Sequence, residues 1–329
     1  MAVFTPIELE DISQWITQDF DIGQASEIRG IHGGIENSNF FLDTIQGGQK
    51  QEYVLTIFER LSAEQLPFYL ELMRHLANKD IPVPKPIENK QGEILFTLKG
   101  KPAAIVTKLP GLSRLQPEAN HCALVGEMLA KMHLAGKDFP RAQENLRSLA
   151  WWQKTIPQIL QHLNTSQKEL ISHELKTQEA FFSSGAYDGL PQGASHCDLF
   201  RDNVLFDPKG TDTSNDHLGG FFDFYFAGTD KWLFDIAVTA NDWCLADNKQ
   251  DLDPARLEAF MKSYQAVRPF THEEQASWAL MLRAAALRFW VSRLWDFYLP
   301  RDAQMLTPHD PTHFERILLS RRSLWNSIP

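Results

Sequence analysis

The sequence predicts an α+β protein in two parts: an N-terminal antiparallel sheet with helices over residues 1–108, and a larger, mainly helical region over residues 109–329. Three observations carry that expectation. β-forming runs such as Glu52-Tyr53-Val54-Leu55-Thr56-Ile57-Phe58 and Pro102 to Leu109 fall in the first third of the chain. From Pro117 onward apolar residues recur at helical spacing, in Leu124, Met128, Leu129 and Met132 and again in Trp151, Ile156, Ile159, Leu160 and Leu163. A single hairpin interrupts the helical region, with Val204-Leu205-Phe206 as one strand and Gly219 to Phe224 as its partner.

Composition narrows the function classes. A formal net charge of -10 argues against nucleic acid or an anionic membrane surface as partner. The three cysteines, Cys122, Cys197 and Cys244, are far apart and lack metal-ligand spacing, so they read as free thiols in a reducing, cytoplasmic compartment. No basic segment followed by a long apolar run opens the chain, and no signal peptide is expected. The longest apolar region, Ala279 to Leu299, contains Arg283, Arg288, Arg293 and Asp296, too many charges for a membrane span; it should be a buried helix. Oligomeric state leaves no mark on the sequence.

In chain order, Thr5-Pro6 ahead of Ile7, Leu9, Ile12, Trp15, Ile16 and Phe20 predicts an amphipathic helix with Thr5 as N-cap. The stretch from Arg29 to Leu42 is a glycine-rich turn, with Gly33 and Gly34 ahead of Asn37 and Ser38, running into a strand. Such a turn either closes a hairpin or lets backbone N–H groups approach phosphate oxygens. After the strand Glu52 to Phe58, Ser62-Ala63-Glu64-Gln65 or Pro67 starts a second helix, on which Glu71 reads as surface charge. Gly92 to Leu98 and Pro102 to Leu109 form a hairpin that runs into Pro110-Gly111 and then the helical region. Within that region His133 reads as a hydrogen-bonded core residue. Asp235, near the start of the helix Trp232 to Trp243, suits the positive helix end and can brace the hairpin loop. Arg288, on a buried helix face, needs an anionic partner, and its planar fork suits a carboxylate; a salt bridge to Asp296 or Asp302 is the expectation for Arg293.

The chemistry concentrates in Ser195-His196-Cys197-Asp198-Leu199-Phe200-Arg201-Asp202-Asn203, just before the hairpin, and in Asp223 on its return strand. An Asp, an Asn five positions later and a second Asp in an apolar run are the working parts of kinase-type phosphoryl transfer. Asp198 would accept the hydroxyl proton, Asn203 and Asp223 would hold Mg²⁺ against the ATP phosphates, and His196 would brace the loop.

These motifs resemble the aminoglycoside phosphotransferase and choline kinase superfamily, whose fold is the two-lobed, protein-kinase-like one. Within it, "HCDLFRDNVLF", "FFDFYFAG", "FDIAVTANDWC", "YVLTIFE" and "LRFWVSRLWDFYLPRD" are similar to the kinase-like bacterial homoserine kinases, and these stretches span nearly the whole chain. The resemblance implies ATP and Mg²⁺ as cofactors and L-homoserine as substrate, in threonine biosynthesis. It makes residues 1–108 a nucleotide-binding lobe and residues 109–329 a catalytic and substrate-binding lobe. Gly33, Gly34, Asn37 and Ser38 become a phosphate-covering turn, and Thr107, Lys108 and Leu109 an adenine contact. One departure stands out: Thr56 occupies the strand position where the superfamily carries a phosphate-binding lysine, which leaves Lys50, Arg60 and Lys108 as candidate replacements. Asp202, Tyr225, Asp242 and Arg288 are the candidate substrate contacts. A kinase of choline, an aminoglycoside or a sugar is the alternative, and a nucleotide-binding pseudokinase a more distant one.

Overall fold

The computed structural model describes residues 5–31, 37–207, 216–299 and 309–323, and the chain divides into two compact units, Met1–Pro110 and Gly111–Pro329. In the first unit α1 (Leu9–Asp19) precedes three strands, β1 (Gln24–Gly30), β2 (Asn37–Gln46) and β3 (Gln49–Phe58). Helix α2 (Leu66–Ala77) and the hairpin β4 (Phe96–Leu98) and β5 (Lys101–Thr107) follow. The strands form one antiparallel sheet in the order β1-β2-β3-β5-β4. Strand alternation decides its faces: Phe40, Leu42, Leu55, Ile57, Ala103 and Ile105 point to one side and bury Ile12 and Ile16 of α1 and Phe20 just after it. Thr56, Val54 and Phe41 therefore stand on the other side.

The first helix begins later than its sequence suggests. Glu8 caps it, exchanging hydrogen bonds with Asp11, three residues along. Thr5 works in tertiary structure instead, donating its hydroxyl to Glu59 (2.8 Å) and its N–H to Ser38 Oγ (3.0 Å). The second helix takes Gln65 as N-cap with Pro67 in its first turn.

The second unit is mainly helical. Its elements are α3 (Ala119–Ala135), α4 (Leu149–Ile159), α5 (Thr165–Phe182), the short α6 (Gly185–Asp188), β6 (Gln192–Ser195), β7 (Val204–Asp207), β8 (His217–Phe221) and β9 (Gly228–Lys231). Four helices complete it: α7 (Trp232–Trp243), α8 (Pro254–Val267), α9 (His272–Tyr298) and α10 (Thr312–Ser323). Strand β6 pairs antiparallel with β9, and β7 with β8 in the expected hairpin. The long apolar region is indeed a buried helix, α9, and among the described residues no helix is long and apolar enough to cross a membrane. Arg321 fastens α10 to the core, donating from Nε to Asn241 Oδ1 and from Nη1 to the Gln250 carbonyl (2.8 Å each). Cys122, Cys197 and Cys244 are buried free thiols.

Helices α3 and α8 approach closely at Gly126, where a Cβ would lie 2.3 Å from the Phe260 carbonyl oxygen. Backbone cannot yield as a side chain does. Gly126→Ala is expected to destabilise the protein by roughly 1–3 kcal/mol, read as a lowered Tm in scanning calorimetry; an unchanged Tm would contradict this packing.

Candidate active site

Strand β6 delivers the chain into His196-Cys197-Asp198, and the backbone there is not regular: Cys197 has φ 62°, in the left-handed region. What holds it is Asp235 in the first turn of α7. Its carboxylate accepts the N–H of His196 (2.7 Å) and of Cys197 (2.8 Å) and also His133 Nε2 (3.0 Å). Arg268 Nε donates to the Tyr264 hydroxyl oxygen (2.7 Å), so that hydroxyl gives its own hydrogen to His133 Nδ1 (2.7 Å). His133 is thereby the neutral Nε2–H tautomer, stacked on Trp232 with ring centroids 5.4 Å apart. Asp235 is fully buried; burial alone would raise its pKa, but its hydrogen bonds and the nearby histidines hold it below the usual carboxylate value.

The return strand is tied to the same loop. His196 Nε2 donates to the Phe222 carbonyl (2.9 Å), and the Phe222 N–H donates to the Asn203 carbonyl (3.1 Å). Asn203 Nδ2 donates to the Asp198 carbonyl (2.8 Å). Asp223 follows directly, with φ 64°. Asp198, Asn203 and Asp223 are thus brought together by backbone and amide bonds, with every link accounted for. The Trp243 indole N–H donates to the Leu199 carbonyl (3.1 Å) and pins the middle of the loop.

Asp198 keeps 16% of its side chain exposed, and its pKa is pushed up to about 7, first by burial and then by the charges of Asp223 and Asp202 against the opposing pull of Arg288. Arg288 Nη2 lies 3.6 Å from Asp198 Oδ1. The guanidinium is only 3% exposed, sits 3.7 Å over the Phe289 ring and 5.2 Å from the Phe226 centroid, and its Nε and Nη2 donate no hydrogen bond among the described residues. Burial lowers its pKa to about 10, with Arg147 and Arg293 adding like charge. Arg147 lies over Trp151 (4.4 Å) and near Phe226 (5.9 Å). A buried cation with uncommitted donors beside a carboxylate is a place prepared for an anion.

Several sequence expectations change. Asp242, expected as a substrate contact, is engaged by Arg201, accepting from its backbone N–H (2.8 Å), Nε (3.0 Å) and Nη2 (3.1 Å), and so ties the loop to α7. Ser38 is fully buried on the core side of the sheet, its hydroxyl donated to Glu59 (2.5 Å), and does not line a phosphate turn. Gly33 and Gly34 lie outside the described residues, as does Asp302, while Asn37 is buried on the face shared with Thr56. The Thr107 N–H donates to the Lys85 carbonyl (2.9 Å), so of its backbone groups the carbonyl is the one left for the adenine contact expected of Thr107, Lys108 and Leu109. Of the candidate cations, Lys50 is paired with Asp43 and Lys108 with Glu52 (2.8 Å each), and Arg60 is exposed. Arg293 lies in the field of Asp198, Asp296 and Asp202, Asp202 is exposed, and Tyr225 is half-buried in a short turn, Phe224–Phe226. Sequence reading missed Arg147, Tyr264 and Asn39. Asn39 lies opposite Thr56 in the β2–β3 register, a pairing that the sequence does not display.

The residues fit a magnesium site. Asn203 keeps Oδ1 as an acceptor because its Nδ2 is committed to Asp198, and with Asp223 it offers hard oxygen donors. Among the described residues no cluster of three or more His, Cys, Asp or Glu could enclose a metal. Two protein ligands with the rest supplied by phosphate is the usual manner of holding Mg²⁺.

Comparison with known proteins adds three findings. A model described as the phosphotransferase enzyme family matches residues 27–274. The chain is 61% identical over 321 residues to the homoserine kinase of Cupriavidus necator, covering 98% of this chain and 96% of the relative, and 59% identical over 321 residues to that of Ralstonia pickettii, covering 98% and 96%. Amicoumacin kinase hAmiN, solved in complex with AMP-PNP, Ca2+ and Ami, superposes with a TM-score of 0.67 at 14% identity over 96% of this chain and 92% of that one. Choline kinase from Cryptosporidium parvum Iowa II superposes with a TM-score of 0.65 at 13% identity over 96% of both chains. The fold is therefore the protein-kinase-like one.

Two buried histidines, His133 on α3 and His196 in the loop, bear on stability toward acid. Burial lowers the pKa of both His133 and His196, and among the described residues His196 Nδ1 is buried with no hydrogen-bond partner, so the folded chain disfavours protonation of either ring. The unfolded chain takes those protons up below about pH 6.5. Their share of the stability should be full above that pH and fall as pH drops below it, while the raised carboxyls of Asp198 and Asp230 pull the other way; imidazole NMR separates the two and should show both rings protonating below the free-histidine range, whereas protonation at or above that range would show that the histidines fold charged.

Proposed function

The chain belongs to the phosphotransferase enzyme family, and from that premise we propose that it transfers the γ-phosphoryl group of ATP to the hydroxyl of L-homoserine, giving O-phosphohomoserine for threonine biosynthesis. The observation that carries this reading is the buried Arg288 guanidinium, 3.6 Å from Asp198 and with Nε and Nη2 uncommitted. A substrate with a primary hydroxyl and a carboxylate satisfies both groups at once. Identity of 61% to a homoserine kinase over nearly the whole chain supports the same substrate.

Asp198 orients the hydroxyl and takes its proton, a role that suits a carboxylate raised toward neutral pH. Arg288 grips the substrate carboxylate through its planar fork. Asp202 is the acid left for the ammonium group, since Asp242 belongs to Arg201. Asn203 and Asp223 are the proposed Mg²⁺ ligands; when bound, the ion neutralises charge on the ATP phosphates. Little covalent work falls to the protein, so positioning supplies most of the rate. Residues 1–108 act as the nucleotide lobe and 109–329 as the catalytic and substrate lobe. Buried free thiols suit a cytoplasmic enzyme.

The aromatic residues argue against a choline-type acceptor. A quaternary ammonium needs open ring faces, but Phe226, Phe289 and Trp151 already carry the guanidinium groups of Arg288 and Arg147. A coupled ADP-release assay with homoserine, serine, choline and kanamycin should give turnover with homoserine far above the others. A preference for choline or kanamycin would overturn the reading.

Two substitutions test the assigned roles. Asp198→Asn should abolish turnover while MgATP still binds in calorimetry, because the carboxylate serves the hydroxyl; near-normal kcat would remove it from that role. Arg288→Met should lower kcat/KM for homoserine about tenfold to a hundredfold, since a charge-assisted contact contributes roughly 1.5–3 kcal/mol. KM for ATP should stay the same, and an unchanged homoserine KM would move the carboxylate site elsewhere.

A further inference from the structure

In kinase-type folds a lysine on the third strand reaches the α- and β-phosphates and pairs with a helix carboxylate. Here β3 carries Thr56 at that place, and both halves of the usual pair are missing. Glu71, on the following helix α2, is bound by Arg74. Thr56 is itself 4% exposed, so a lysine there would be a buried charge without a counter-ion. Among the described lysines of the sheet, Lys50, Lys108 and Lys101 are held by Asp43, Glu52 and Glu59, and Arg60 lies exposed beyond the end of β3.

What the strand does hold is a neutral pair. Thr56 lies directly opposite Asn39 in the β2–β3 register, and Thr56 Oγ1 donates to Asn39 Oδ1 at 2.8 Å. Since Leu55, Ile57, Phe40 and Leu42 fill the core face, Asn39 and Thr56 share the opposite face with Phe41 and Val54, the next cross-strand pair. Asn39 is half-buried. With its oxygen taken by the hydroxyl, the amide is held in one orientation, and both N–H groups of Nδ2 are directed away from Thr56.

We propose that Asn39 is the phosphate-contacting residue of the nucleotide site in place of a lysine, and that Thr56 is its positioning residue, fixing the amide so that Nδ2 donates to a phosphate oxygen. This rests on the kinase reading above. A neutral amide needs no counter-charge, which accounts for the engagement of Glu71 by Arg74. Thr56 and Asn39 then form one device, and the missing lysine is a replacement and not a loss of function.

The test compares dissociation constants for MgADP and for adenosine, by calorimetry on the full-length chain, because only the first carries phosphates. Asn39→Ala and the nearly isosteric Asn39→Asp should each weaken MgADP by roughly tenfold or more, the loss of one hydrogen bond to a charged group, with adenosine within about twofold. Thr56→Val should show a smaller loss with the same selectivity, and Thr56→Ser, which keeps the hydroxyl, should restore MgADP binding. Unchanged MgADP affinity in both Asn39 variants would overturn the proposal. So would a parallel loss of adenosine, which would mark a merely structural pair. If the parent protein fails to phosphorylate homoserine while the selective MgADP loss persists, the substrate reading falls and this one stands; if the parent binds no MgADP, both fall.

Discussion

The structure of the site depends on one buried carboxylate. Asp235 accepts two consecutive backbone N–H groups, from His196 and Cys197, and a third hydrogen from His133. A charge with no exposure is tolerated only when it is fully hydrogen-bonded, and here the bonds go to a loop whose backbone is already strained at Cys197. Each therefore stabilises the other. Without the carboxylate, the two N–H groups would be buried and unpaired, and the turn that aims Asp198 would lose the bonds that fix its start.

From that point the order of the site propagates by short links. His196 reaches the Phe222 carbonyl, Phe222 reaches Asn203, and Asn203 reaches back to Asp198. The loop is a closed circuit, and the three groups assigned to chemistry lie on it with little freedom. Such preorganisation is what phosphoryl transfer requires of a protein, because the enzyme supplies geometry and charge and not a nucleophile of its own.

Charge is distributed unevenly between the two units. In the second, Arg288 and Asp198 are kept close, each shifting the other's protonation, so opposite charges lie together in a buried place, as the proposed binding of a dipolar substrate requires. In the first, the cations of the sheet are matched by carboxylates and the Thr56 position is neutral.

The sequence alone determined the element types, because periods of 2 and 3.6 are properties of local chain geometry, and it singled out the stretch proposed for catalysis, because Asp198, Asn203 and Asp223 lie within one short loop and hairpin. The buried α9 was legible for the same reason: its charges are too many for a membrane and its apolar residues too many for a surface. Partnerships between distant residues were not legible. That Asp242 serves Arg201, that Ser38 turns to Glu59, that Thr5 leaves its helix cap to Glu8 and that Asn39 meets Thr56 are all decided by which side chains tertiary packing brings within 3 Å of each other. Hydrogen bonds are short-ranged and directional, so a residue type in a sequence states what it can donate or accept, and only the folded chain decides to whom.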